Sequence, residues 1–430
     1  MMSLSRRKSR VLRWLVAALF ALPSYGWAQE VVMVKGAAVK DEPVLSIVYE
    51  GNKRSKTSVM DRLSGLRTGM RLADIDVDRV RKSFLDSGLF DDATVSYQDS
   101  GDGAVVTVRV KERLGLFLIP YNIAISSAYY GGGLLLTDAN FLGEQKVGAL
   151  GVAVSNLGPA GVLSYQDPHF ILDHLVLTTY LTGGNQLRQE SSMNGDLFAE
   201  FPHLFVVQGI QTNYAIDDHW HLLSEVRGIE VSTNNTEAER YGLFERSLVI
   251  NPSVGFDYSG QTPFEYFLQG PWAFFQYSHG FSFYGLPSYD SVTARGEWTF
   301  PALFDGMADA GFSATYGNQT LLVMNALGGK GFRTLPSNSY SDKDLGLYAA
   351  YDWPMFHFNW GVIALGGFYE AGFYTTGLDA QPTTEFFQGP GLGVHLFLNK
   401  ISRSALGVDF SYNVPTRNLG FNVNAGLSFN

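Results

Sequence analysis

The chain ends in two stretches that alternate apolar and polar residues, Leu406-Gly-Val-Asp-Phe-Ser-Tyr-Asn413 and Phe421-Asn-Val-Asn-Ala-Gly-Leu-Ser-Phe429. A third stretch, Leu392–Leu398, precedes them with the same period of two. A period of two puts alternate side chains on opposite faces of a β-strand. The link between the last two stretches is short and contains Pro415, so we expect them to pair as a hairpin. Successive strands of about ten residues with this pattern are typical of an antiparallel transmembrane β-barrel.

The composition of the chain changes near residue 113. Residues 43–112 contain 11 basic and 11 acidic residues, whereas the 318 residues from 113 to 430 contain 13 and 27. The same 318 residues hold 52 of the 60 aromatic residues and 39 of the 47 glycines. Sparse charge and abundant aromatic residues favour a membrane barrel over a soluble β-sandwich, which also alternates. An open sheet would leave unpaired edges in lipid, so we expect a closed barrel of sixteen strands, with twelve as the alternative.

Several classes of chemistry are excluded by what the sequence lacks. There is no cysteine, which rules out disulfides, cysteine-bound zinc and a thiol nucleophile. The formal net charge of −10 gives no basic surface for nucleic acid. We find no phosphate-binding loop, no dinucleotide fingerprint and no His-Glu zinc motif, so no cofactor or metal is expected.

Residues 1–28 are typical of a signal peptide for export. Basic residues precede the apolar run Trp14–Leu22, and Gly26-Trp-Ala28 supplies small residues before a cleavage point. Nine apolar residues are too few for a helix across the hydrocarbon core, which takes about 20. An uncleaved N-terminal anchor is the alternative. Residues 29–42 read as a leader without periodicity.

Residues 43–112 predict a small α+β domain with the order β-α-α-β-β. A β-rich run from Val44 is followed by a helix capped by Thr57 and by a second helix capped by Asp74. Gly88 marks the end of the second helix. A turn at 99–103 then joins two alternating strands.

The motifs of this domain resemble those of the POTRA (polypeptide-transport-associated) family. The matching residues are Gly51-Asn52, Gly88-Leu89-Phe90 and the V-x-V-x-E pattern of 108–112. The resemblance covers all 70 residues and implies a domain that receives an extended client segment on an exposed strand edge. The alternative is that these turn and core residues only maintain the fold.

Residues 113–430 resemble the bacterial surface antigen barrel, which follows POTRA domains in BamA- and TamA-like proteins. The matching motifs are Thr137-Asp-Ala-Asn-Phe-Leu-Gly143, Gln166-Asp-Pro-His-Phe170, Gly328-Gly-Lys-Gly-Phe-Arg333 and Phe368-Tyr-Glu-Ala-Gly372. Near the C-terminus, Gly426 and Phe429 resemble the assembly signal on the last strand of that family. Together with the POTRA motifs, the resemblance extends over nearly all of the chain after the leader.

The resemblance implies that the sixth extracellular loop folds back into the lumen and that its tip contacts the inner wall. The tip residues are Lys330, Gly331, Phe332 and Arg333. Lys330 stands where the family has arginine, and Glu370 stands where it has aspartate. Glu370 and Asp409 are the candidate partners on the wall. The alternative is a solvated loop with two incidental cations, because the segment is rich in turn residues.

The resemblance implies an outer-membrane insertase or translocase that assists β-rich clients, with the POTRA domain in the periplasm. The POTRA domain would receive the client, and the junction of the first and last barrel strands would template insertion. Outer-membrane lipids, unfolded outer-membrane or secreted proteins, periplasmic chaperones and accessory lipoproteins are the expected partners. Two alternatives are a secretion translocator dedicated to one partner and a passive pore. A lipid-hydrolysing enzyme is a third, although no G-x-S-x-G motif accompanies the eight histidines.

Overall fold

The computed structural model describes residues 42–125, 130–172, 174–191, 197–235, 246–264, 266–284, 287–318, 325–327, 332–336, 339–359, 361–375, 383–398 and 401–425. The expected signal peptide and all but the last residue of the expected leader lie outside these ranges. So do Lys330, Gly331, Gly426 and Phe429.

The first part of the chain has the predicted order β-α-α-β-β. Its elements are β1 (Val44–Glu50), α1 (Thr57–Ser64), α2 (Val77–Asp86), β2 (Phe90–Asp99) and β3 (Ala104–Glu112). The strand order is β1-β3-β2, with β1 parallel and β2 antiparallel to the central strand. Both helices cover one face of this sheet, and the rings of Phe84 and Phe90 meet edge to face in the core at 5.3 Å.

The caps of the two helices differ from the expected ones. Thr57 is the first residue of α1, and Lys56 holds the cap position without a side-chain hydrogen bond. The cap of α2 is Asp76, whose carboxylate accepts the backbone N–H of Arg79 at 2.9 Å. Asp74 instead ends a short 3₁₀ turn. That turn starts at Leu72, which is buried in the core, and its burial moves the start of α2 two residues along the chain.

The second part forms a closed antiparallel barrel. In the described residues, sixteen long strands make its wall, as predicted, and the last of them lies beside the first. The wall strands are β4 (Leu116–Ile125), β5 (Tyr130–Phe141), β6 (Lys146–Ser155), β7 (Gly158–Asp167), β8 (Leu175–Ser191), β9 (Leu197–Ala215), β10 (Trp220–Ser232), β11 (Arg246–Ser259), β13 (Phe267–Ser282), β14 (Tyr289–Pro301), β15 (Met307–Gly317), β18 (Lys343–Phe358), β19 (Gly361–Thr375), β20 (Thr384–Leu398), β21 (Ile401–Asn413) and β22 (Asn418–Ala425).

Three short strands lie in connections between wall strands. They are β12 (Thr262–Phe264), β16 (Asn325–Ala326) and β17 (Tyr340–Ser341). β12 pairs with the start of β13, whereas β16 and β17 pair with each other inside the long connection from β15 to β18.

The two faces of the barrel wall follow the predicted alternation. On β21, Leu406 and Phe410 are exposed outward, while Asp409 and Ser411 are buried inside. The same holds on β20, where Leu392 is exposed and His395 is buried. An outer surface of exposed apolar side chains around a polar interior suits a barrel that meets lipid outside. Separately, the described helices include none that is both long and apolar enough to cross a membrane.

Candidate functional site

The long connection between β15 and β18 places its tip, residues 332–336, inside the lumen. The N–H of Phe332 donates to the carbonyl of Leu327 at 2.6 Å, and the N–H of Leu335 donates back to Phe332 at 3.2 Å. These bonds form a tight turn that is joined to the end of the small β16–β17 sheet, where the N–H of Leu327 donates to the carbonyl of Ser339 at 2.9 Å. The tip then contacts inward-facing side chains of β19, β20 and β21, and we call residues 332–336 the loop tip from here on.

Arg333 is the centre of these contacts. Its Nε lies 2.9 Å from Glu370 Oε1 on β19, and one terminal nitrogen lies 3.5 Å from Asp409 Oδ1 on β21. The guanidinium also stacks on the ring of Phe368, 3.4 Å from the ring centroid. Both carboxylates are almost wholly buried, so Arg333 supplies a charged partner where water has little access.

The backbone of the loop tip is also held by wall side chains. The N–H and hydroxyl of Thr334 donate to Glu370 Oε2 at 3.1 and 3.2 Å. Ser411 donates to the carbonyl of Arg333 at 2.7 Å, and Asn413 donates to that of Thr334 at 3.2 Å. Each of these wall groups replaces a water molecule that a free loop would bind. The loop tip is therefore docked through its backbone as well as through one cation.

An apolar contact accompanies the polar ones. The Phe332 ring is buried against Phe387 of β20, with 4.9 Å between ring centroids. Opposite it, Gly346 of β18 leaves a slot, since a Cβ at that position would lie 2.0 Å from Phe332 Cζ. Leu327, Leu335 and Tyr374 complete the cluster. The wall thus carries a cavity shaped for one aromatic ring.

A histidine links Asp409 to a further wall carboxylate. His395 Nε2 lies 3.1 Å from Asp409 Oδ1, and Nδ1 lies 2.6 Å from Asp352 Oδ1 on β18. The two nitrogens point to different carboxylates and do not converge on a single point. Accordingly, the part of the chain that the structure describes contains no group of metal-ligating side chains.

A second polar network joins the POTRA-like domain to the barrel. Glu112, at the end of β3, accepts the backbone N–H groups of Arg54 and Ser55 at 2.7 and 2.8 Å and the Ser55 hydroxyl at 2.5 Å. Asn140 of β5 donates to the same carboxylate and to Ser55. Burial alone would raise the pKa of Glu112, but hydrogen bonds from the Ser55 hydroxyl and from the backbone groups of Arg54, Ser55 and Lys53 lower it below the usual value. The carboxylate thus ties a domain loop to the barrel.

Charged side chains surround this junction on its exposed side. Arg54 contacts Asp138 at 2.6 Å, and Lys56 and Lys146 both contact Glu144 in the turn between β5 and β6. Hydrogen bonds from Lys146 and Lys56 lower the pKa of Glu144 to about 2. The junction therefore fixes the domain beneath the first hairpin of the barrel.

The five residues of the POTRA motif lie at turns and in the core of their domain. Gly51 has a φ of +90°, and a Cβ there would lie 2.0 Å from the carbonyl oxygen of Val110. Gly88 also has a positive φ, of +71°. Asn52 donates to the carbonyl of Ser55 at 3.0 Å, whereas Leu89 and Phe90 belong to the buried core. These contacts give the five residues a role in maintaining the fold of the domain.

The structure brings together four of the predicted barrel residues: Phe332, Arg333, Glu370 and Asp409. Lys330 and Gly331 of the same motif, and Gly426 and Phe429 of the C-terminal motif, are outside the described residues. Sequence reasoning missed Thr334 and the histidine link. The only signal for the histidine link was that His395 and Asp409 both fall at inward-facing positions of the paired strands β20 and β21.

In the described residues, a β-α-α-β-β domain is fixed to a closed barrel of sixteen long strands, and a loop tip is docked in the lumen. This is the architecture of a POTRA-like domain followed by a β-barrel. In agreement, residues 43–113 match the family model POTRA, described as surface antigen variable number repeat. The POTRA resemblance drawn from residues 43–112 is thus confirmed. No curated protein matches the chain.

Solved structures share this fold at low sequence identity. One is BamA from Haemophilus ducreyi lacking POTRA domains 1–3, with a TM-score of 0.61 and 14% identity over 88% of this chain and 83% of that chain. Another is CdiB from Acinetobacter baumannii, with a TM-score of 0.57 and 11% identity over 90% of this chain and 74% of that chain. These similarities establish the fold alone.

Proposed function

We propose that the protein is an outer-membrane insertase or translocase that assists the assembly or secretion of β-rich client proteins. The observation that carries the proposal is the docked arrangement of three parts in one chain. These parts are a POTRA domain with an exposed edge strand, a closed barrel, and a loop tip held inside the barrel.

The edge strand β2 suits the capture of an extended client. It pairs with β3 on one side only within the described residues, and most of its side chains are exposed. Backbone N–H and C=O groups on such an edge bind a partner strand with little demand on its sequence. The junction around Glu112 would then hold the captured segment beneath the first barrel hairpin.

The barrel itself suits the transfer of strands into lipid. Each unpaired backbone group of an incoming strand costs several kcal/mol in hydrocarbon until it is paired. The strand order places β22 beside β4, so opening this one pair would offer an edge to the client. Gly420 on β22 would favour such opening, because glycine weakens strands.

The outer membrane is the proposed location, with the POTRA domain in the periplasm. Membrane lipids would cover the apolar outer face, and periplasmic chaperones or accessory lipoproteins would deliver clients. A passive pore is disfavoured by the docked loop tip, which occupies the lumen. The translocator dedicated to one partner remains the second candidate. The described residues include one POTRA domain, which is compatible with a translocator that serves a single partner.

The first experiment separates the two candidates. The protein is depleted, and outer-membrane proteins are quantified. Broad loss of barrel proteins supports a general insertase, loss of one secreted protein supports a dedicated translocator, and no loss contradicts both.

The second experiment tests client capture directly. Because the chain has no cysteine of its own, a single introduced cysteine reports the contacts of one chosen position. Thr94→Cys on β2 should cross-link to cysteines in an unfolded barrel client, whereas Lys82→Cys on the opposite side, in α2, should not. Equal cross-linking at both positions would contradict capture at the edge.

A further inference from the structure

The lumen wall carries an apolar patch close to the POTRA end of the barrel. Met307 on β15, Val362 and Ala364 on β19, and Phe397 on β20 are buried and point inward. Glu370 lies on the same face of β19 as Val362 and Ala364, and His395 lies on the same face of β20 as Phe397. Because Glu370 and His395 face the lumen, the patch faces it too. Inward side chains of a water-filled barrel are normally polar. Such a patch needs a covering element.

The connection from β11 to β13 provides that cover. Thr262 to Phe264 pair with Phe267 to Gln269 as a short hairpin. We call the described residues 260–264 and 266–271 the mouth hairpin. Phe267 is buried among the four residues of the patch, and its ring lies 4.8 Å from that of Phe397. Since β13 and β20 are five strands apart in a closed wall, this contact runs through the barrel interior and not along one strand pair.

Two further contacts hold the mouth hairpin across the opening. The Tyr266 ring lies 5.9 Å from the ring of His357 at the end of β18. The Gln261 amide donates to Glu297 on β14 at 3.4 Å. The mouth hairpin therefore reaches β14, β15, β18, β19 and β20, on one side of the barrel interior.

The mouth hairpin bends away from β11 and β13 at two glycines. Gly270 has a φ of +116°, and a Cβ there would lie 2.4 Å from the carbonyl oxygen of Gly260. The Gly260 N–H donates to Pro271 at 2.9 Å, so the ladder continues up to the bend. Only glycine adopts this backbone readily. The inward bend is thus encoded at the base of the hairpin.

We propose that the mouth hairpin closes the lumen at its POTRA end and that passage through the lumen requires its displacement about Gly260 and Gly270. The loop tip closes the same lumen nearer the other end, so the barrel has two closures in series. This inference concerns passage through the lumen and does not rest on the proposed function. Both tests use purified full-length protein without a client.

The first test is the reactivity of a buried reporter. Ala364→Cys places a thiol directly beneath Phe267, and cysteine is a small enough apolar residue to fit there. A charged thiol reagent should label it slowly compared with the exposed reporter Ser96→Cys. Adding Phe267→Ala or, independently, Gly270→Ala should raise the labelling rate about tenfold or more. Phe304→Ala, an exposed phenylalanine at the same end, is the matched control and should leave the rate unchanged.

Folding is checked by the heat-dependent gel mobility of the barrel, which each variant must retain. Rapid labelling of Ala364→Cys without a second change would overturn the proposal. So would an equal effect of Phe304→Ala and Phe267→Ala.

The second test is conductance in planar bilayers, which reports two closures in series. Phe267→Ala and Phe332→Ala alone should each raise conductance little, and the double variant should conduct strongly. Full conductance from Phe332→Ala alone would show that the POTRA end is open already. A double variant that conducts like the wild type would equally contradict the proposal.

Discussion

Removing the Glu370 carboxylate should release the loop tip from the wall. In Glu370→Ala, Arg333 loses its closest ionic partner, and the N–H and hydroxyl of Thr334 lose their acceptor. Glu370 is 1% exposed, so water does not readily replace it. The perturbation therefore leaves a cation and two donors without their partner inside the barrel.

The magnitude follows from the contacts that remain. Breaking a buried ion pair by removing one member costs about 3–5 kcal/mol. Arg333 keeps Asp409 at 3.5 Å and the face of Phe368, which favours the lower end of that range. At 1.4 kcal/mol per factor of ten, about 3 kcal/mol lowers the docked-to-undocked ratio about a hundredfold. Glu370→Gln keeps an acceptor and loses only the charge, so about tenfold is expected.

Trypsin provides the assay, because the peptide bond after Arg333 is a trypsin site within the docked tip. When opening and closing are faster than cleavage, the cleavage rate follows the open population. Fragments ending at residue 333 are quantified by mass spectrometry in folded, purified protein. Cleavage should be slowest in the wild type, faster in Glu370→Gln and fastest in Glu370→Ala.

The matched control is Glu225→Ala, which removes another lumenal carboxylate. Glu225 lies on β10 and accepts the Tyr180 hydroxyl at 2.5 Å, away from the three strands β19, β20 and β21 that hold the loop tip. Its loss should leave cleavage after Arg333 unchanged. Cleavage of Glu370→Ala at the wild-type rate, or equal acceleration by the control, would refute the reasoning.

Three further predictions concern other contacts. Gly346→Val should also expose the tip to trypsin, because its Cβ would overlap the ring of Phe332, and Phe332→Ala in the same chain should partly restore protection. Gly51→Ala should destabilise the POTRA domain by about 1–3 kcal/mol through strain at a positive φ, seen as a lower urea midpoint for its proteolytic protection. Glu144 has a pKa lowered to about 2, so its pairing with Lys56 is complete above its ordinary pKa and is lost as the pH falls through about 2. The efficiency of fluorescence energy transfer between a dye on the POTRA domain and a dye on the barrel should therefore change as the pH falls through about 2. In Glu144→Gln, the transfer efficiency at neutral pH should already equal the value that the wild type reaches in acid.

The strand faces could be predicted from the sequence because a single physical constraint acts along each strand. Lipid outside and polar groups inside impose a period of two, and this assigned Asp409 and Phe410 to opposite faces. The helix caps were predicted less well. Asp74 and Asp76 are equally good cap residues, and the choice between them depends on the burial of Leu72 in the folded core.

The junction and the mouth hairpin could not be predicted, for a related reason. Glu112 and Asn140 meet only after the domain docks on the barrel. Gly260 and Gly270 indicate a turn, but the direction of that turn relative to the lumen depends on the wall opposite. Apolar residues at inward-facing positions, such as Val362 and Phe397, were the local sign in the sequence that something covers the wall there.

Two closures in one lumen bear on the route that a client takes. A client threaded through the lumen must displace both the loop tip and the mouth hairpin, and so must break the Arg333–Glu370 pair and the Phe267 contact during each passage. A client inserted sideways between β22 and β4 needs neither change, because that pair lies in the wall itself. Glu370→Ala and Phe267→Ala should therefore accelerate a threading protein and leave a lateral insertase no faster. The response of client transfer to these variants would thus distinguish the two routes for any client that the protein handles.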